Sequence, residues 1–151
     1  MKLNFEDLIV SENDDYILIN KPAHIASLDE RQADNSQSVL RLAKEYANDA
    51  QLCHRLDKET SGVLAIAKTP AAYRHLSMQF EHRKVEKRYH AVVNGTHDFE
   101  MISVYLPIAM KRDGTMVAID RQKGKEADTI FNTMKVYRKP PSSATLRMGV
   151  K

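Results

Sequence analysis

Residues 54–62 read His-Arg-Leu-Asp-Lys-Glu-Thr-Ser-Gly, and this segment decides how the rest of the chain is interpreted. The run Val-Leu-Ala-Ile-Ala at residues 63–67 follows it directly and predicts a short buried strand. Gly62 permits a sharp change of backbone direction between the two segments. A polar segment beside a core strand is held on a rigid scaffold, where catalytic loops are commonly found.

Two side chains of this segment have the chemistry of a catalytic site. The carboxylate of Asp57 can act as a nucleophile or a base. The guanidinium of Arg55, two residues earlier, can keep that carboxylate ionised or bind a phosphate. The structural alternative is a turn that Asp57 closes through its own backbone, with Arg55 as its ion-pair partner. The longer sequence around the pair favours the functional interpretation.

That longer sequence resembles the His-Arg-Leu-Asp-x-x-Thr-Ser-Gly signature of RluA-type pseudouridine synthases, which isomerise uridine in ribosomal and transfer RNA. Two more blocks occur in the expected order. Residues 19–23, Ile-Asn-Lys-Pro-Ala, look like the family's Asn-Lys-Pro motif, and residues 87–91, Lys-Arg-Tyr-His-Ala, look like its Lys-x-Tyr strand. The sequence departs from the family at His24, where a Gly commonly follows Lys-Pro-Ala. The resemblance extends from about residue 8 to the last residue.

The resemblance implies a role for each residue of the expected site. Asp57 is the catalytic carboxylate, Arg55 takes part in flipping and holding the nucleotide, and Tyr89 lies against the flipped uracil. The alternative for Tyr89 is a half-buried tyrosine of a strand. Lys21 and Pro22 are expected to fix the exit of a hairpin rather than to react. The isomerisation involves no redox change and no net hydrolysis, so neither a cofactor nor a metal is expected.

Size and composition fit one globular catalytic domain over residues 1–151. Hydrophobic residues make up 42% and charged residues 28% of the chain, which is ordinary for a folded protein and excludes a disordered one. No apolar run approaches the roughly 20 residues that span a bilayer, so no membrane partner is expected. The single cysteine, Cys53, excludes an internal disulfide framework and favours a reducing cytoplasm. We interpret it as a buried core thiol.

The charges are unevenly distributed along the chain. Residues 1–20 contain one Lys against five Asp or Glu, a net charge of −4. Residues 71–90 contain five Lys or Arg against two Glu, a net +3. Residues 101–151 contain ten Lys or Arg against four Asp or Glu, a net +6. A basic second half predicts an RNA-binding surface, and the alternative is a solvated mixed surface. No obligatory protein partner is evident.

The pattern of apolar residues predicts many strands and few helices. Short apolar runs at residues 9–11 and 16–19 flank an acidic turn and indicate a β-hairpin. Ser36 or Ser38 is expected to cap a helix through about Ala47, and Thr69-Pro70 to start another that ends near Arg83. Further strands are predicted at 87–93, 102–106, 115–119, 129–137 and 145–151, with a polar loop at 121–127. This pattern favours an α+β fold, a mixed and mainly antiparallel sheet with packed helices, in agreement with the pseudouridine synthase fold.

The last residues complicate this interpretation. In the family, a strand like residues 145–151 leads into a Thr-Gly-Arg-x-His-Gln-Ile-Arg block that is absent here. We therefore expect a catalytic domain that lacks its C-terminal part and carries no S4 domain. An uncovered edge strand predicts weak activity and association of this chain alone. Two alternatives stay open: a non-catalytic RNA-binding remnant of the family, and a hydrolase that cleaves N-glycosidic bonds with Asp57.

Overall fold

A computed structural model describes residues 3–29, 37–110 and 117–137 of the chain. The chain divides into two compact units between Tyr89 and His90. The first unit contains one four-stranded sheet and two α-helices, and the second contains two two-stranded sheets. Every strand pair that the described residues form is antiparallel. Antiparallel sheets with packed helices confirm the predicted α+β class.

The first unit is built around its four-stranded sheet. In chain order the elements are β1 (Ile9–Glu12), β2 (Tyr16–Lys21), α1 (Val39–Tyr46), β3 (Gln51–Leu52), β4 (Gly62–Ala67) and α2 (Pro70–Glu81), and a single 3-10 turn, Glu6–Leu8, precedes β1. The strand order in the sheet is β1-β2-β4-β3, and the predicted hairpin is present as β1 and β2. The longest pairing joins β2 to β4 and runs in register from Tyr16 opposite Ala67 to Lys21 opposite Gly62.

Side chains of the sheet alternate between its two faces and build two apolar clusters. Ile17 and Ile19 of β2 are fully buried in the larger cluster, together with Leu64 and Ile66 of β4. Three residues of α1 cover this face: Val39, Leu42 and Ala43. The smaller cluster contains Ala67 of β4, Cys53 and Ala72 of α2. The sheet is therefore held between α1 and α2.

Both helices begin where the sequence predicts. The hydroxyl of Ser38 accepts a hydrogen bond from the backbone N–H of Arg41 at 3.1 Å and caps α1. The hydroxyl of Thr69 accepts one from the N–H of Ala72 at 3.1 Å and caps α2, with Pro70 in the first helical position. Ser36, the other predicted cap, lies outside the described residues. Local side-chain chemistry therefore fixes both helix starts.

The second unit consists of two antiparallel pairs. Strand β5 (Ile102–Tyr105) pairs with β8 (Asp128–Phe131), and β6 (Ile108–Met110) pairs with β7 (Val117–Ile119). The predicted strand at 129–137 is shorter than expected, because regular pairing ends at Phe131. Strand β6 was not predicted. The predicted strand at 145–151 and the first residues of the one at 115–119 lie outside the described residues.

The prediction of a strand at residues 87–93 is wrong. These residues are all exposed and form no regular secondary structure. Their β-branched and aromatic side chains fit a strand only when a neighbouring strand supplies backbone partners and packing. No strand of the described part of the chain pairs with them. The Lys-x-Tyr block therefore lies on a segment without regular secondary structure rather than in a sheet.

Within the described residues, no helix has the length and apolar character needed to cross a membrane. Both α-helices of the first unit are shorter than a membrane span, with eight and twelve residues.

Candidate active site

The segment with Arg55 and Asp57 is the loop between β3 and β4. In the pairing of β3 with β4, Leu52 lies opposite Ile66. One more backbone hydrogen bond follows, from the N–H of Cys53 to the oxygen of Ala65 at 3.1 Å. The chain then leaves the sheet and returns at Gly62. Gly62 has a φ of +125°, which side-chain-bearing residues rarely adopt. The loop therefore starts and ends on the buried sheet, as the sequence indicates.

The middle of this loop is held by a side chain from the chain preceding α1. The hydroxyl of Ser27 donates to the oxygen of Leu56 at 2.6 Å and accepts from the N–H of Leu56 at 3.2 Å. Leu56 itself is buried in the larger apolar cluster. Its neighbours, Arg55 and Asp57, are exposed. The backbone is thus fixed while both candidate side chains are exposed to solvent.

Two hydrogen bonds from the Asn-Lys-Pro block and the residues after it fix the loop a second time, at Lys58. The backbone oxygen of Lys58 accepts a hydrogen bond from the N–H of His24 at 2.7 Å and one from Nζ of Lys21 at 3.2 Å. The same Nζ also donates to the oxygens of Pro22 at 3.0 Å and Ile25 at 2.8 Å. A lysine ammonium has three N–H groups, so three carbonyls satisfy it completely. This matches the structural role that the sequence predicts for Lys21.

Lys21 also provides the main electrostatic feature of the site. Its side chain is fully buried. Burial lowers the pKa of the Lys21 ammonium below its ordinary value, because a charge is poorly solvated there, while the negative charges of Glu59 and Asp57 act in the opposite direction. The buried ammonium therefore lies within electrostatic reach of the Asp57 carboxylate.

His54 holds the start of the loop through its side chain. Its Nε2 accepts the N–H of Ala65 at 3.1 Å, so the hydrogen of the neutral ring is on Nδ1. The ring also stacks on Phe80 of α2, with 4.3 Å between centroids. Burial lowers the pKa of His54, the charge of Lys87 lowers it further, and a hydrogen bond with the backbone of Arg55 acts in the opposite direction. The neutral ring is therefore the form that fits this position.

Sequence reasoning missed two side chains that hydrogen-bond to the backbone in and beside this loop, those of Ser27 and His54. Their partners are 29 and 11 residues away in the chain, so no local pattern indicates these contacts. The only available signal for His54 was its place in the signature at residues 54–62. For Cys53, burial raises the pKa of the thiol to about 11, which agrees with the predicted core thiol.

The structure brings Arg55 and Asp57 together on one loop but does not join them directly. The ion pairs within the described part of the chain do not include one between these two residues. Tyr89 is 60% exposed on the segment after α2, which has no regular secondary structure. None of the hydrogen bonds and ring contacts among the described residues joins Tyr89 to Arg55 or Asp57. All three side chains are exposed.

Other features of the first unit lie apart from this loop. A groove of about 320 Å³ lies between the β1–β2 hairpin and α2, and Arg55, Asp57 and Tyr89 do not line it. Within the groove, His75 is already hydrogen-bonded to the hydroxyl of Tyr16 at 3.0 Å and to the side chain of Gln79 at 3.2 Å. No cluster of metal-binding side chains occurs among residues 3–29, 37–110 and 117–137.

Comparison with known proteins identifies similar sequences. The profile of a family described as RNA pseudouridylate synthase matches residues 15–148. A ribosomal large subunit pseudouridine synthase C from Buchnera aphidicola is 33% identical over 144 residues, which cover 92% of this chain and 45% of the relative. A dual-specificity RNA pseudouridine synthase RluA from Vibrio parahaemolyticus is 34% identical over 129 residues, which cover 84% of this chain and 51% of the relative. The chain thus spans about half the length of these curated relatives.

Two solved human structures share the fold. Human RNA pseudouridylate synthase domain containing 1 matches 86% of this chain and 51% of its own, with a TM-score of 0.62 and 22% sequence identity. Human RNA pseudouridylate synthase domain containing 4 matches 85% of this chain and 55% of its own, with a TM-score of 0.57 and 21% identity. At this identity the likeness concerns the fold alone.

Proposed function

The chain belongs to the RNA pseudouridylate synthase family, and on that premise we propose that it isomerises uridine to pseudouridine in RNA with Asp57 as the catalytic carboxylate. One observation carries the assignment: the exposed Asp57 follows Leu56, whose backbone N–H and oxygen are both held by Ser27. A carboxylate on a fixed backbone can be presented to a bound sugar without a large loss of conformational entropy. We further propose that residues 1–151 belong to one catalytic domain.

The reaction requires only bond exchange at the base. The N1–C1′ bond breaks, the uracil turns, C5 joins C1′, the proton at C5 is lost and N1 gains one. A carboxylate beside the anomeric carbon can attack C1′ or take a proton from the sugar, since electron-poor sugar intermediates are trapped or stabilised by such groups. We assign this carboxylate role to Asp57, whether it attacks C1′ or takes a proton from the sugar. No cofactor enters this scheme.

Arg55 and Tyr89 are the proposed substrate-binding residues. A target base must leave the RNA stack before a protein side chain reaches its sugar. The exposed guanidinium of Arg55, two residues before Asp57, can bind the displaced nucleotide or its phosphate. The exposed ring of Tyr89 offers a flat face to the flipped uracil.

The proposed substrate is ribosomal RNA or transfer RNA. The name of the Buchnera aphidicola relative refers to the large ribosomal subunit, and that of the Vibrio parahaemolyticus relative to dual RNA specificity. The basic half of the chain, with a net charge of +6 over residues 101–151, supports binding to phosphates. We propose no protein partner, and the single cysteine supports the cytoplasm as the proposed location.

One assay separates the proposed function from its alternatives. The purified protein is incubated with RNA that carries tritium at C5 of its uridines, and both released tritium and free uracil are measured. Isomerisation releases tritium and leaves the base attached to the RNA. An N-glycosidic hydrolase releases free uracil instead. Binding of the RNA with neither product indicates a non-catalytic RNA-binding protein and contradicts the proposal.

A further inference from the structure

Ser27 makes an unusual pair of contacts with the loop of Asp57. Its side chain is buried, with 4% of the residue exposed. A single oxygen serves both backbone groups of Leu56, donating to the carbonyl at 2.6 Å and accepting from the N–H at 3.2 Å. Only a hydroxyl-like group can donate and accept through one atom in this way. Leu56 lies outside the strands, so no ladder of strand pairing satisfies these two groups.

Ser27 is itself fixed by the start of α1. Its backbone oxygen accepts a hydrogen bond from the N–H of Leu40 at 3.1 Å, and the oxygen of Ala26 accepts one from the N–H of Val39 at 2.9 Å. These are N–H groups of the first helical turn, which have no partners inside the helix. The hydroxyl of Ser27 therefore connects a helix terminus to Leu56.

We propose that Ser27 is a positioning residue for the Arg55–Asp57 pair. Because Leu56 separates these two residues, fixing its backbone fixes the starting point of both side chains. Ser27 touches neither of them among the contacts of the described residues, so it acts through Leu56. The inference rests on the proposed function, and it adds a residue from outside the signature to the same site.

The test compares Ser27→Ala with Ser27→Thr, which keeps the hydroxyl. Thr69→Ala is the matched control, because it also removes a hydroxyl that holds a backbone N–H, at the start of α2. Single-turnover rates are measured at saturating RNA and at a temperature where every variant is fully folded. Displacement of a reacting group by about 1 Å can cost on the order of 100-fold in rate.

We expect Ser27→Ala to lower the saturated rate by at least about tenfold, with RNA affinity nearly unchanged, since a small shift of the loop affects the reacting geometry first. Ser27→Thr should restore most of the rate, and Thr69→Ala should retain it. A rate for Ser27→Ala equal to that of wild type, or lowered no further than that of Thr69→Ala, would overturn the proposal.

Amide hydrogen exchange provides a second readout that needs no RNA. The N–H of Leu56 should exchange slowly in wild type and Thr69→Ala and much faster in Ser27→Ala. If the N–H of Leu56 exchanges as slowly in Ser27→Ala as in wild type, the proposal that Ser27 fixes the backbone of Leu56 is contradicted. If the N–H of Leu56 in wild type exchanges slowly, as expected, but the protein forms no pseudouridine, the proposed function fails. If wild type is active and Ser27→Ala equally so, only the role of Ser27 fails.

Discussion

Nζ of Lys21 lies 3.2 Å from the backbone oxygen of Lys58 and joins the end of β2 to the loop that carries Asp57. The two residues are 37 positions apart in the chain. The contact links the Asn-Lys-Pro block to the signature at residues 54–62. Two of the three recognised sequence blocks thus meet in one hydrogen-bonded arrangement. This arrangement makes the loop conformation dependent on a buried charge.

We predict that Lys21→Met strongly destabilises the protein. The substitution keeps a long apolar stem but removes the ammonium that three carbonyls share. The oxygen of Lys58 keeps the N–H of His24, whereas the oxygens of Pro22 and Ile25 lose this donor. Leaving two partly buried carbonyls short of a hydrogen bond should cost about 2 kcal/mol or more of unfolding free energy. Denaturant unfolding measures the change. The control is Lys68→Met, which removes a more exposed ion pair with Glu12. Equal losses for the two variants would contradict the assigned role of Lys21.

His24→Gly should stabilise the protein. His24 has a φ of +68°, in the left-handed region, and its side chain is exposed. Glycine adopts this conformation without the strain of a side chain, so we expect a gain of about 0.5–1 kcal/mol in unfolding free energy. The N–H that donates to Lys58 remains in the variant. His24→Val, which is β-branched, should instead destabilise. A thermal midpoint for His24→Gly below that of wild type would refute this prediction.

The sequence departs from the family pattern at His24, where a histidine occupies a position that commonly carries glycine. Histidine tolerates the left-handed region better than most side chains do. The backbone at His24 has a conformation that suits glycine, and its N–H donates to the oxygen of Lys58.

Stability should fall as the pH decreases below about 6.5, the ordinary pKa of histidine. The pKa of His54 is lowered in the folded protein, so the unfolded state binds more protons between the folded and unfolded pKa values. The stability that neutral His54 contributes is fully present above the pKa of histidine in the unfolded state. It is lost as the pH falls toward the lower pKa that His54 has in the folded state. Unfolding free energies at pH 7.5 and 5.5 test this directly.

His54→Gln is the matched variant for the pH experiment. Its side-chain oxygen can accept the N–H of Ala65 but does not titrate in this range. We expect its stability to change less than that of wild type between the two pH values. If both proteins lose the same stability, the pH dependence arises elsewhere in the protein. The pH range lies above that in which Glu12 titrates, since the pKa of Glu12 is lowered from 4.5 by its hydrogen bond with Lys68.

The logarithm of the RNA association constant should fall linearly with the logarithm of the salt concentration. If the basic second half binds phosphates, replacing Lys123 and Lys125 by Gln should reduce the magnitude of the slope by about 0.7 for each phosphate that the variant no longer binds. Two basic residues of α1, Arg41 and Lys44, serve as the control pair. Fluorescence anisotropy over a range of salt concentrations provides the slopes. A wild-type slope near zero would show that the basic charges only form a solvated surface.

Local chemistry explains which parts of the fold were predictable. Ser38 and Thr69-Pro70 cap helices through contacts within three residues, so both helix starts were predicted correctly. The strand at 87–93 was predicted wrongly, because strand formation depends on partners that the local sequence does not contain. Strand β6 was missed for the same reason, since its pairing with β7 is what defines it.

The candidate site shows the same division. Arg55 and Asp57 come from a contiguous signature, and their roles stay predictions. The structural role predicted for Lys21 agrees with its three hydrogen bonds to backbone oxygens. The hydrogen bonds between Ser27 and Leu56 and between His54 and Ala65 depend on how distant segments fold together. Chemistry encoded by neighbouring residues can be predicted from the sequence, whereas side chains that position it from a distance require the structure.

The central claim is that the carboxylate of Asp57 performs the isomerisation. The most direct test is tritium release from C5-labelled uridine RNA by wild type, Asp57→Asn and the control Glu59→Gln, which removes the same charge two residues away in the same exposed loop. We expect Asp57→Asn to release no tritium while its RNA affinity stays within about threefold of wild type, because one charge changes phosphate binding only modestly. Glu59→Gln should retain most of the activity. Full activity of Asp57→Asn would contradict the account.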